Sequence, residues 1–260
     1  MDRHLYIAGT GRAGTSFLVR YLTALGLDTV AARKGDASWW DESANAGLED
    51  TADQLTGANV PYVVKSPWLW LLIDELIAKH REQIDGVIIP IRDLSHAATS
   101  RAIVEYAAMY ERAPWLNRLD SSFDVWGAAP GGMVYSLAPM DQARLLAVGF
   151  HQLVERLEAA AVPFTFVHFP RFARDADYLF GKLAPLLPGS ITAEAARTAF
   201  DTVADASRIR VEEEIGGPAV PSPLVAENAA LRRRVQKLER ALRDREDGQK
   251  PEPGPPEGSG

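Results

Sequence analysis

The residues Gly9-Thr10-Gly11-Arg12-Ala13-Gly14-Thr15-Ser16 carry the densest chemistry in the chain. They satisfy G-x-G-x-x-G and also keep the frame of G-x-x-x-x-G-K-[ST], with Thr15 where the second pattern has lysine. Both patterns rest on the same physics. Glycines let the backbone turn tightly, successive N–H groups point inward, and a following helix offers its positive end to an anion. A kinase or nucleotide hydrolase uses the loop lysine to neutralise terminal phosphates. Arg12 is the cation within this loop, so a donor with its reactive group on a 5′-phosphate fits it better than a triphosphate.

Further downstream, Lys65 closes the run Val63-Val64-Lys65 and Arg92 closes the run Ile88-Ile89-Pro90-Ile91-Arg92, with Ser100 eight positions later. A guanidinium offers phosphate a planar fork of donors, and a serine hydroxyl adds one more. Groups able to take a proton lie at Asp41, Glu42, Glu49 and His96. His4, His80, His151 and His168 show no metal-ligand spacing, and the absence of cysteine excludes thiolate ligands, disulfides and a cysteine nucleophile. No metal is expected.

Those residues need elements to hold them. Leu5-Tyr6-Ile7-Ala8 reads as a buried strand, and Phe17, Leu18, Tyr21, Leu22 and Leu25 recur at helical spacing over Ser16 to Leu25. Val60 to Val64 and Val87 to Ile91 are further strands with a helix from Leu69 to Arg81 between them. Helices are predicted over Ser95–Arg112 and Met140–Ala161, then a strand at Phe164-Thr165-Phe166-Val167-His168. Asp28 to Gly57 has no sustained period and reads as irregular. Strands alternating with helices predict a three-layer α/β domain with a mostly parallel sheet and a P-loop-type nucleotide site. Such sheets bind ligands at the carboxyl ends of their strands, which is where Gly9, Lys65 and Arg92 fall. A dinucleotide site needs a second strand soon after the first helix; Thr29-Val30-Ala31-Ala32-Arg33 is the one segment available, and it is very short.

Composition sets the frame. The chain has 260 residues, 47% hydrophobic and 24% charged, enough for one sizeable core. Its net charge of -7 gives no electrostatic reason to seek nucleic acid or an anionic membrane, so any anion must be held by local groups. No apolar run is long enough to span a bilayer, and the first residues lack the apolar core of a secretory signal. A cytoplasmic location is expected.

On these residues a resemblance can be stated. Gly9 to Leu18 looks like the 5′-phosphosulfate loop of bacterial P-loop sulfotransferases that use 3′-phosphoadenylyl sulfate. The resemblance implies that Gly11, Arg12, Ala13, Gly14, Thr15 and Ser16 surround the donor's 5′ end. Arg92 and Ser100 are similar to that family's 3′-phosphate site, and Val63-Val64-Lys65-Ser66-Pro67 resembles its lysine-containing segment near the bridging oxygen. Asn45-Ala46-Gly47-Leu48-Glu49 is a shortened version of a segment that carries the base, which points to Glu49, with Glu42, Asp41 and His96 as competitors. The implied activity is sulfuryl transfer to a hydroxyl or amine of a small-molecule, lipid or carbohydrate acceptor. The likeness covers Leu5 to Arg101 and is looser through Phe164 to Leu187. The basic glycine-containing segment that closes over the donor in many members has no counterpart in Glu212-Glu213-Glu214-Ile215-Gly216-Gly217, where Arg208 or Arg210 would have to substitute. Two other readings stand beside it: a P-loop kinase, and a non-catalytic nucleotide-binding or assembly protein acting through its C-terminal helix.

The expected organisation is an α/β domain over 1–217, a proline-rich linker over 218–223, a coiled-coil helix over 224–245 and a disordered tail over 246–260. In the helix, leucines 224, 231 and 238 fall at heptad position d and Asn228, Val235 and Leu242 at a. That pattern, with one a-position Asn, predicts a parallel homodimer.

Overall fold

The computed structural model describes residues 3–9, 11–35, 40–41, 46–47, 55–57, 59–112, 126–128, 134–136, 138–205 and 223–248. In chain order the strands are β1 (His4–Ile7), β2 (Trp40–Asp41), β3 (Ala46–Gly47), β4 (Val63–Lys65), β5 (Ile84–Ile91), β6 (Trp126–Ala128), β7 (Val134–Ser136) and β8 (Phe164–His168). The α-helices are α1 (Thr15–Ala24), α2 (Val30–Lys34), α3 (Leu69–His80), α4 (Leu94–Arg112), α5 (Pro139–Ala159), α6 (Ala176–Leu183), α7 (Ala193–Val203) and α8 (Pro223–Gly248).

Alternating apolar side chains make the sheet a two-faced layer. Leu5 and Ile7 of β1, Val63, Ile88 and Val167 point to one face, where they pack on Leu18 and Leu22 of α1, Leu179 and Leu183 of α6 and Phe200 of α7. Tyr6, Val64, Val87 and Ile89 point to the other, against Ile73 of α3, Ile103 of α4 and Leu145 and Leu153 of α5. Helix, sheet and helix thus form the three expected layers. Both faces being covered explains why these strands read as continuous apolar runs.

The central sheet has four parallel strands in the order β4-β1-β5-β8. From β1 the chain first crosses to β4 on one side and then, through α3, to β5 on the other. The direction of winding therefore changes at β1, which opens a crevice at its carboxyl end. In register, Ile7 sits beside both Lys65 and Ile88, and Ile91 beside His168. The segment after each of the four strands consequently emerges at the same edge of the sheet.

Several expectations shift. The segment after α1 is not wholly irregular: Thr29 bridges to Val63 and its hydroxyl accepts from Ala32 N at 3.0 Å, capping α2. Residues 30–34 are therefore helical, which removes the second strand a dinucleotide site would need. Short antiparallel pairs β2–β3 and β6–β7 were not foreseen. Helix α8 begins at Pro223, where a missing N–H costs nothing, and continues to Gly248, past Arg245. Its start is not separate from the domain. Ala230 is wholly buried with Ala102, Ile103 and Tyr106 of α4, and Ala229 and Leu231 pack at the edge of that cluster. The apolar face of α4 needs a cover, and α8 supplies it. Residues 218–222 and 249–260 lie outside the described residues. Among the described residues, no helix is long and apolar enough to cross a membrane.

Candidate functional site

The glycine loop leaves β1 and enters α1 through an unusual backbone. Gly11, Arg12 and Gly14 all have positive φ, at 68°, 53° and 78°. For Arg12, which has a Cβ, this is a sparsely populated conformation that costs about 1–3 kcal/mol and persists only where its surroundings enforce it. At Gly14 glycine is required twice over. A Cβ there would lie 2.7 Å from the rings of Phe169 and Phe172, besides the positive φ. Gly14 is also the N-cap of α1, and it has no side chain to satisfy the first N–H groups of the helix. The first turn contains no acidic residue. The positive end of α1 and the glycine turn before it therefore form a place where an anion is favoured.

Arg92 and Arg12 interlock. Arg92 extends from the end of β5 and its Nη1 donates to the carbonyl oxygen of Arg12 at 3.0 Å, while Arg12 Nε donates to Ser100 Oγ on α4 at 3.2 Å. These two bonds join positions 80 and 88 apart in the chain. They also hold the strained turn against β5 and α4. Ser100 is 2% exposed, and its hydroxyl retains a donor for a further acceptor.

Lys65 ends β4 directly beside β1 and is only 1% exposed. Its Nζ donates to Ser16 Oγ at 2.9 Å in the first turn of α1. The loop lacks a lysine of its own, but a lysine from the adjacent strand reaches its last hydroxyl. Ser66 N donates to Ile7 O at 2.9 Å, fixing the exit of β4 against β1.

The fourth strand contributes Phe169, which motif reading does not single out. Phe169 N donates to Ile91 O at 2.8 Å, holding the end of β8 to β5. Its ring packs on Gly14 and lies 5.3 Å from the guanidinium of Arg92. The signal available in the sequence was an aromatic just past a strand end.

Behind Ser100 lies a second arginine. Arg101 is 8% exposed, stacks 4.3 Å over Trp68 and donates from Nε to Gln142 Oε1 at 2.6 Å. Gln142 Nε2 in turn donates to Ser136 O at 2.6 Å. The exit of β4, helix α4, helix α5 and β7 are thereby tied together next to Ser100.

Gly11, Arg12, Ala13, Gly14, Thr15, Ser16, Lys65, Arg92 and Ser100 thus come together at one end of the sheet. His96 stands one turn before Ser100 on α4, on the same face of the helix; its N–H donates to Asp93 Oδ1 at 2.9 Å. Glu49 and Glu42 lie outside the described residues, as do Arg208 and Arg210. Only the backbone of Asp41 is described, within β2. Among the described residues, no cluster of His, Asp and Glu is arranged to hold a metal ion.

No family model and no curated protein matches the chain. Among solved structures, a match is a sulfotransferase domain from the curacin biosynthetic pathway, with 13% sequence identity and a TM-score of 0.41, covering 89% of this chain and 97% of that one.

Proposed function

We propose that this chain is a sulfotransferase that moves a sulfuryl group from 3′-phosphoadenylyl sulfate to a hydroxyl or amine of a small-molecule, lipid or carbohydrate acceptor. The observation that carries the reading is the Arg92–Arg12–Ser100 linkage. It supports the reading because it brings Arg92 and Ser100, the residues proposed for a 3′-phosphate, beside the turn proposed for the 5′ end of the same nucleotide. A triphosphate has no use for a second grip.

In the proposed reaction the acceptor oxygen or nitrogen attacks sulfur in line, and the bond between sulfur and the bridging phosphate oxygen breaks. The electron pair of that bond stays on the 5′-phosphate, leaving adenosine 3′,5′-bisphosphate. The N–H groups of the turn, the end of α1 and the Lys65 ammonium beside Ser16 stabilise the charge that builds there. The acceptor's proton passes to a base, for which Glu49 is proposed first and His96 second. No step calls on a metal ion.

Ligand-induced thermal stabilisation tests the reading against its rivals. Adenosine 3′,5′-bisphosphate without metal is expected to raise the melting temperature more than ATP with magnesium or NAD(P). Magnesium-dependent stabilisation by ATP alone would assign the chain to the kinases. Retained bisphosphate binding without turnover on any acceptor would make it a binding or assembly protein.

A further inference from the structure

Helix α8 changes character along its length. Its start is docked on α4 through Ala229, Ala230 and Leu231, yet Val235, Leu238 and Leu242 are 53%, 56% and 58% exposed. These three recur at steps of three and four, forming one narrow apolar stripe that continues, beyond the domain, the line of Leu231, the last docked residue. Asn228, one heptad before Val235, is exposed in line with the stripe.

We propose that this stripe is the seam along which α8 pairs, parallel and in register, with α8 of a second copy of the chain. Charge complementarity argues for a second copy over any other occupant. With Leu238 at d, Arg234 falls at g and Glu239 at the following e, and Glu227 at g precedes Arg232 at e. In a parallel pair each g residue faces the next e residue of the other helix, so both contacts join opposite signs, and symmetry makes each occur twice. Asn228 at a adds the register. Its amide finds a matching partner in the seam only when the two copies of Asn228 meet, which an antiparallel or slipped pairing prevents. A membrane surface suits the stripe less well, because acidic Glu239 borders it and an interfacial helix carries a broader apolar face.

The docked start removes part of the usual difficulty. A free helix of this length must nucleate before it can pair, whereas the first turns of α8 are already held by the domain. Parallel pairing leaves both domains at the same end of the paired helices. The exposed seam is short, so the dimer is expected to dissociate on dilution. The inference is independent of which nucleotide the domain binds.

Sedimentation equilibrium on the full-length chain at micromolar concentrations tests it, alongside Leu238→Glu and Asn228→Ile in the full-length background. The expected result is a reversible dimer for the parent and a monomer with unchanged circular dichroism for Leu238→Glu. Asn228→Ile, freed of the polar register, is expected to form larger species as well as dimers. A monomeric parent overturns the proposal, including one that binds vesicles of anionic phospholipid through α8. A dimer that survives Leu238→Glu overturns it too, since the contact must then lie elsewhere.

Discussion

Arg92 is the residue whose removal separates one phosphate from the other. If it binds the 3′-phosphate, Arg92→Ala weakens adenosine 3′,5′-bisphosphate far more than adenosine 5′-monophosphate, which lacks that group. Losing a charged hydrogen-bonding partner costs roughly 1.5–3 kcal/mol, about tenfold or more in affinity. Equal losses by calorimetry for the two nucleotides would mean that Arg92 acts only through its bond to the Arg12 carbonyl. Gly14 tests the loop from the other side. Gly14→Ala combines a φ of 78° with a Cβ 2.7 Å from two phenyl rings, so the turn must open or the rings must move. A stability loss of about 1–3 kcal/mol in urea denaturation is expected, with weaker nucleotide binding. An unchanged midpoint would show that Phe169 and Phe172 yield freely.

At the scale of elements, a carboxylate helps to hold α2 at the edge of the sheet, where Arg33 also donates to the carbonyl oxygens of Asn59 and Val60. Asp28 accepts from Arg33 Nε and Nη2 at 2.7 and 2.6 Å and from Tyr62 N at 3.1 Å. The bond from Arg33 is the largest influence and holds the Asp28 carboxyl below the usual range, against a smaller opposing effect of burial. A lowered folded pKa means stability that is full above the unfolded carboxylate range and is lost as pH falls through the folded value. Asp28→Asn is therefore expected to lower stability near neutral pH by about 1 kcal/mol or less, since the pair is partly exposed, and to flatten the loss below about pH 4. An unaltered acid limb of the stability curve would contradict this. The same scale shows what sequence could convey. Phe164 to His168 was legible to the residue, because an aromatic and β-branched run lies between Pro163 and Pro170. Helix α7 was not, since its buried stripe is largely alanine, Ala196 and Ala199 before Phe200, and alanines carry little apolar contrast. The site residues were legible as types at strand ends. Their particular bonds were not: the Arg12–Ser100 bond and the Arg101–Trp68 stack depend on strand order and on the pitch of α4. The stack yields its own test. Arg101→Lys keeps the charge but loses the planar fork that both stacks on Trp68 and bonds Gln142. It is expected to weaken bisphosphate binding severalfold through Ser100, and a wild-type affinity would confine Arg101 to packing.

For the whole molecule, a chain of net charge -7 that gathers Arg12, Lys65 and Arg92 at one edge must attract an anion locally, against its overall field. That edge depends on α4, and α4 depends on α8. Ala230 is wholly buried in the cluster that holds Ala102, Ile103 and Tyr106, and Ser100 stands half a turn before Ala102 on the same helix. Two truncations separate the tasks of α8. Ending the chain after Pro223 removes Ala229, Ala230 and Leu231 and opens the apolar face of α4 to water. Exposure of that area costs on the order of 2 kcal/mol or more, and with α4 less firmly held, nucleotide binding is expected to fall with stability. Ending it after Arg234 keeps the docked turns and removes Val235, Leu238 and Leu242, which are each more than half exposed. Stability and nucleotide binding are then expected to match the full-length chain when both are compared as monomers at high dilution. Urea denaturation and bisphosphate titration on the two truncated chains read both effects. If the chain ended after Pro223 also matches the full-length chain, α8 contributes nothing to the domain beneath it.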